Sequence, residues 1–388
     1  MFKKARRTFK DMDKVLFFTT LVLIVFGSLN IVTASSREAV VNADANLFYY
    51  FFKHVIILTI SLVSFLIVIK IPTKDYKKWL PLIYIAIFGM NLYLILKGVA
   101  TRGANNWINL KFMKVQPSEF AKPALILAMS LLFESHFKKL SDPKEKHDIV
   151  IWKIIGLSLI FPILVFLQKD LGTAIILFMI FLVLFVFSPI SKKEKLKAGI
   201  ISIIILVILL VVRLSITGYI LSNAQESRLN NFFNPCSKYE STGYQVCNAF
   251  IAINNGGLTG VGIGKSTQKY SYIPEPHTDM VFAIISEENG VLLCSLIFIG
   301  YIVILYRILK LSMNTKKIRN KYICIGTATY IFMHIFINLG GLFGIIPLTG
   351  VPLPFLSYGG SFTLSLITTL AIIQRIHIEY KNEKIKVK

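Results

Sequence analysis

Apolar stretches long enough to cross a bilayer recur from one end of this 388-residue chain to the other. A spanning helix needs roughly 20 such residues, and in lipid only a helix or a closed barrel satisfies its own backbone hydrogen bonds. The stretches fall near 15–34, 50–69, 80–98, 118–134, 152–167, 171–188, 198–216, 281–306, 322–345 and 358–376. Mean hydropathy is +0.66, and 16% of the residues are charged where a soluble domain carries roughly 25%. The chain therefore reads as an all-α integral membrane protein with about ten transmembrane helices. The first stretch follows basic residues, as a signal peptide would, but no small-x-small cleavage site follows it. It is read as a retained span.

A net charge of +23 raises the question of nucleic acid. Most of the 43 Lys and Arg residues, however, sit in the N-terminus, 70–79, 135–153, 190–197, 307–321 and the tail from Arg375. These segments alternate with the spans, which is the positive-inside pattern; it places both termini in the cytoplasm. A nucleic-acid binder would gather its cations on one polar domain, so no such partner is expected. Outside, 35–49, 99–117, 168–170 and 346–357 are short, and 217–280 forms one long extracytoplasmic loop between spans 7 and 8. Residues 1–388 thus make a single polytopic membrane domain. Aromatics and the Gly256-Gly257 turn give the long loop an ordered character. Cys236 and Cys247 lie in it, on the side where disulfides persist, and a bridge between them stays open.

Four outward clusters carry polar chemistry. The long loop ends Pro274-Glu275-Pro276-His277-Thr278-Asp279, where Thr278 or Asp279 is placed to cap the helix beginning at Met280. The alternative for Asp279 is a general base beside His277 at the membrane surface. Glu287 and Glu288 follow at membrane depth, where acids are paired or functional. The second cluster runs from Arg102 through Asn105-Asn106-Trp107 to Gln116-Pro117-Ser118-Glu119. Within it Glu119 and Lys122, three apart, read as a structural pair on a helix surface. The third is the tight turn Gln168-Lys169-Asp170. The fourth, 347–361, holds three prolines and three glycines, a non-helical backbone tolerated at membrane depth only against protein or a watery cavity. Cations on this side (Arg102, Lys111, Lys114, Lys265, Lys269) suit an anionic ligand. No phosphate loop, metal signature or nucleophile elbow is present.

These same segments resemble the SEDS family, the shape, elongation, division and sporulation proteins that include FtsW, RodA and SpoVE. The resemblance rests on Ala104-Asn105-Asn106-Trp107-Ile108, Gln116-Pro117-Ser118-Glu119-Phe120-Ala121-Lys122 and Asp170-Leu171-Gly172-Thr173. It continues through Gly243-Tyr244-Gln245, Pro274-Glu275-Pro276-His277-Thr278-Asp279 and Leu353-Pro354-Phe355-Leu356-Ser357-Tyr358-Gly359-Gly360-Ser361. It implies a peptidoglycan glycosyltransferase that polymerises lipid II, with Asp279 as catalytic base. Trp107, Arg102, Lys111, Lys114, Gln245, Lys265, Lys269, His277 and Ser357 become candidate substrate-binding residues. No cofactor is fixed, though a divalent cation (Mg or Mn) is compatible, with its ligands unassigned. The implied partners are a class B penicillin-binding protein and other divisome or elongasome membrane proteins. Gly264-Lys265-Ser266-Thr267-Gln268-Lys269-Tyr270 resembles the FtsW and SpoVE branch more than the RodA branch. Lys169 and Phe362 depart from the family pattern. The rival readings are a lipid II flippase and a non-catalytic scaffold for the penicillin-binding protein.

Overall fold

The computed structural model describes residues 9–43, 46–97, 106–109, 114–141, 148–217, 226, 232–233, 235–236, 242–270, 273 and 276–387. Helices dominate. They are α1 (Lys14–Ala43), α2 (Tyr49–Val68), α3 (Tyr76–Lys97), α4 (Pro117–Ser135), the short α5 (Phe137–Ser141) and α6 (Asp148–Leu167). There follow α7 (Leu171–Val186), α8 (Lys192–Thr217), α9 (Thr242–Gly256), α10 (Val281–Asn314), α11 (Ile318–Leu342) and α12 (Ser361–Val387). A two-residue hairpin, β1 (Ile108–Asn109) against β2 (Lys114–Val115), pairs antiparallel between α3 and α4.

Every apolar stretch marked in the sequence falls on one of these helices, and α1, α10 and α12 run well past the C-terminal end of theirs. Among the described residues, 7 helices are long and apolar enough to cross a membrane. The chain is a multi-pass helical membrane protein. Two helices show what lies at the centre: 72% of the apolar window of α11 and of α12 is buried within the protein, against 17% for α2 and for α3. Helix α4 joins that centre, packing on α11, α3, α7 and α12. Its buried face includes Ser118, Glu119 and Lys122 beside Leu125, Ile126 and Met129. The Glu119–Lys122 pair is therefore enclosed by protein, where spacing alone suggested a surface pair. Outer helices α2 and α3 present Ile56, Leu62, Leu82 and Ile85 outward, as lipid-facing helices do.

The long loop is not structureless. It contains α9, which packs against α10, and a disulfide joins Cys236 to Cys247, the bridge that the sequence left open. Helix α10 is broken at Gly290, whose φ 73 and ψ 178 lie in a region that only glycine occupies readily. The loop from α9 satisfies both ends of the break. Val261 and Gly262 donate their N–H groups to the carbonyls of Glu287 and Glu288 at 2.9 and 3.0 Å. Val291 and Leu292 donate to the carbonyls of Gly257 and Leu258 at 3.0 and 3.2 Å. Irregular backbone inside an apolar helix is tolerated here because the chain itself supplies these four partners.

Candidate active site

The four polar clusters marked in the sequence converge. Asp170 caps α7 by accepting from the Thr173 N–H at 3.1 Å. Its other oxygen accepts from Asn106 Nδ2 at 2.7 Å and from Gln116 Nε2 at 2.9 Å. One carboxylate therefore fastens both ends of the segment that carries Trp107 and the hairpin. The backbone N–H of Gln116 then donates to Ser361 Oγ, the first residue of α12, at 2.9 Å. Behind Asp170, Gly172 packs so closely on Val351 and Thr349 that a Cβ there would stand 2.7 Å from the Val351 side chain. The amide of Asn338, on α11, completes the ring. Its two protons go to the carbonyls of Val351 and Asp279, each at 2.7 Å.

Asp279 lies in the turn before α10 and is half-buried. The cap position of α10 falls on Met280 and carries no side-chain bond, one residue beyond the Thr278 or Asp279 cap that the sequence suggested. Thr278 Oγ1 donates to Asp279 Oδ1 at 2.9 Å. Its other oxygen stands 3.6 Å from where a Cβ on Gly350 would lie, so the carboxylate faces the proline- and glycine-rich segment. That segment also holds His277, whose carbonyl accepts from the Tyr358 N–H at 2.9 Å.

The remaining candidates separate into groups. His277 is buried, 2.9 Å from Glu38 and against Tyr50 and Tyr358. Trp107 is half-buried beside Asn106, and Lys114 is exposed on β2. Ser357 is buried and closes its own turn, accepting from the Leu353 N–H at 2.8 Å. Gln245 sits on the first turn of α9 and Lys265 is exposed beyond it. Lys269 is engaged inside the protein: Nζ pairs with Glu288 at 3.0 Å and donates to the Gly264 carbonyl at 2.6 Å. Its neighbour Glu287 gathers the same loop, accepting from Ser266 Oγ, from Thr267 Oγ1 at 2.9 Å and from the Gln268 N–H at 3.3 Å. Of the membrane-depth acids, Glu288 is paired with Lys269 and Glu287 is hydrogen-bonded, and both anchor the loop. Arg102 and Lys111 lie outside the described residues.

Sequence reasoning missed two contributors. His334, a lone histidine in an apolar span, extends the Glu119–Lys122 pair. Lys122 Nζ is 2.7 Å from Glu119 and 2.9 Å from His334 Nε2, and His334 Nδ1 is 3.1 Å from the Pro352 carbonyl. With an ammonium donating to Nε2, the ring proton belongs on Nδ1, donating to Pro352. Asn338 follows one turn later. The buried chain from α4 and the Asp279 support thus meet adjacent carbonyls, Val351 and Pro352. Among the described residues, no group of three or more His, Cys, Asp or Glu gathers as a metal site would require.

A family model described as a cell cycle protein, covering FtsW, RodA and SpoVE, matches residues 13–382. A relative named probable peptidoglycan glycosyltransferase FtsW, from Wigglesworthia glossinidia brevipalpis, is 30% identical over 96% of this chain and 95% of its own length. Stage V sporulation protein E of Bacillus subtilis is 26% identical over 94% of this chain and 96% of its own. The fold is shared with a chain from a structure titled for the coordination of polymerization and crosslinking by a peptidoglycan synthase complex. That match has a TM-score of 0.72 at 20% identity, covering 94% of this chain and 97% of that one. The rod shape determining protein RodA of Thermus thermophilus superposes with a TM-score of 0.66 at 20% identity, over 94% and 96%.

Proposed function

The chain belongs to the FtsW/RodA/SpoVE family of cell cycle proteins, and from that premise we propose that it is a peptidoglycan glycosyltransferase polymerising lipid II at the outer face of the bacterial cytoplasmic membrane. Ten spans with both termini in the cytoplasm put Asp279, Trp107 and Asp170 on that outer side, in keeping with the distribution of basic residues. The carrying observation is that hydrogen bonds and close packing link the four motif segments, with Asp279 tied to them through Asn338. A half-buried carboxylate whose backbone is held by Asn338 and whose side chain accepts from Thr278 suits a general base.

In this reading Asp279 takes the proton from the acceptor sugar's 4-hydroxyl as that oxygen attacks the anomeric carbon of the donor. The bond to undecaprenyl pyrophosphate breaks on the opposite face and the configuration inverts. Trp107 flanks the sugar, and outward cations such as Lys114 and Lys265 meet the pyrophosphate charge. Among the described residues no group of three or more His, Cys, Asp or Glu gathers as a divalent cation's ligands would, and no step is routed through one. A class B penicillin-binding protein is the partner that would crosslink the product, and FtsW- and SpoVE-named relatives favour division or sporulation over elongation.

The test is polymerisation of labelled lipid II by purified wild type and Asp279→Asn, each alone and with the cognate penicillin-binding protein. Long glycan from wild type and none from the variant supports the reading. No glycan from wild type with its partner present would move lipid translocation or scaffolding ahead. Normal polymerisation by Asp279→Asn would remove the base assignment.

A further inference from the structure

Helix α1 does not stop where its apolar stretch stops. It continues to Ala43, and Glu38 lies on the extension with its side chain 18% exposed. Glu38 Oε2 is 2.9 Å from His277 Nδ1, close enough for the carboxylate to act on the ring electrostatically without an aligned hydrogen bond. The His277 ring is 4.4 Å from Tyr50 on α2 and 5.2 Å from Tyr358 before α12. Its carbonyl is tied to the Tyr358 N–H. Two residues later the chain presents Asp279. Lower down, the same helix passes against Phe355 and Leu356 at Gly27. Helix α1 therefore touches the proline-rich segment at one level and the Asp279 segment at another.

We infer that Glu38 is a positioning residue for glycan polymerisation, acting through His277 to hold the 277–279 segment against the loop that faces Asp279. The inference rests on the polymerase reading above. A carboxylate facing Nδ1 keeps the ring proton on that nitrogen and holds the ring in one orientation. The ring is wedged between two tyrosines, so its orientation sets the backbone on either side. Displacing a reacting group by about 1 Å can cost a hundredfold in rate. Glu38 touches no reacting atom; its effect is on placement.

The experiment measures lipid II polymerisation by full-length protein with its penicillin-binding partner, separating kcat from KM, for Glu38→Ala, Glu38→Gln and Arg37→Ala. Thermal unfolding in detergent is measured alongside. Arg37 is exposed on the same extension and serves as the control. Alanine is the better helix former, so a role limited to helix structure leaves Glu38→Ala unchanged or more stable. The expected result is a kcat loss of about tenfold or more in Glu38→Ala with KM within about twofold, and wild-type behaviour in Arg37→Ala. Glutamine keeps the side chain's length and a partly negative oxygen facing Nδ1, so Glu38→Gln recovers most of the rate. In a His277→Ala background, Glu38→Ala adds no further loss. Wild-type kcat in Glu38→Ala, or a fully additive loss in the double variant, overturns the inference while leaving the polymerase reading intact. An inactive wild type with its partner present removes both.

Discussion

Asn338, on α11, holds the carbonyl of Asp279 in the turn before α10 at 2.7 Å. The same amide nitrogen holds Val351 at 2.7 Å. The acidic residue and the segment it faces are thus registered against each other by one side chain. Asn338→Ala leaves two carbonyls without their donor. The expected outcome is a fall in kcat of about 10- to 100-fold with little change in KM, read in the lipid II assay. Unchanged kcat would show that Asp279 keeps its place without this amide.

Lys269 and Glu288 separate a structural from a ligand-binding role. Both side chains are buried, at 2% and 0% exposure. Removing one member of a buried pair strands the other charge and costs about 3–5 kcal/mol, whereas replacing both with apolar residues can be nearly neutral. Lys269→Met alone is expected to lower Tm sharply, and Lys269→Met with Glu288→Leu to regain most of it with polymerisation retained. A stable but inactive double variant would return Lys269 to the substrate-binding set.

Gly290 tolerates no side chain. Its φ of 73 is costly for an L residue, and a Cβ would collide with the backbone of Gly260 and Leu258. Gly290→Ala is expected to lose several kcal/mol of stability, seen as poor recovery of folded protein and a depressed Tm. A normal Tm would mean that α10 can close over the break.

Trp107 stands beside the Asn106–Asp170 bond, whereas Lys97 ends α3. Trp107→Ala is expected to lower polymerisation more than Lys97→Ala does, in the same assay at matched protein levels. The reverse order would move the sugar site away from the hairpin.

The spans were legible because length and apolarity are summed over some 20 residues and survive any local irregularity. The motif residues were legible by type, and the structure gathers Asp170, Gln116, Ser361 and Asp279 as one assembly. What escaped depended on partners distant in sequence. Lys269 looked like a cation awaiting an anion, and its anion lies 19 positions on at Glu288. His334 reads as one more residue of an apolar helix until Lys122, 212 positions away, is placed beside it. Gly290 left no trace, since glycine is ordinary in membrane helices. Glu38 was assigned to a short connecting segment because its helix outruns its apolar stretch.

The four hydrogen bonds that the 257–262 turn makes to α10 across Gly290 have a dynamic consequence. Neither the turn nor the outer portion of α10 can open by itself without exposing bare peptide groups in an apolar surrounding. They are expected to open as a single cooperative unit. Amides on Val261, Gly262, Val291 and Leu292 should exchange with deuterium together and at one rate. Any movement of the Asp279 turn that pulls on the start of α10 is therefore expected to draw the 257–262 turn with it.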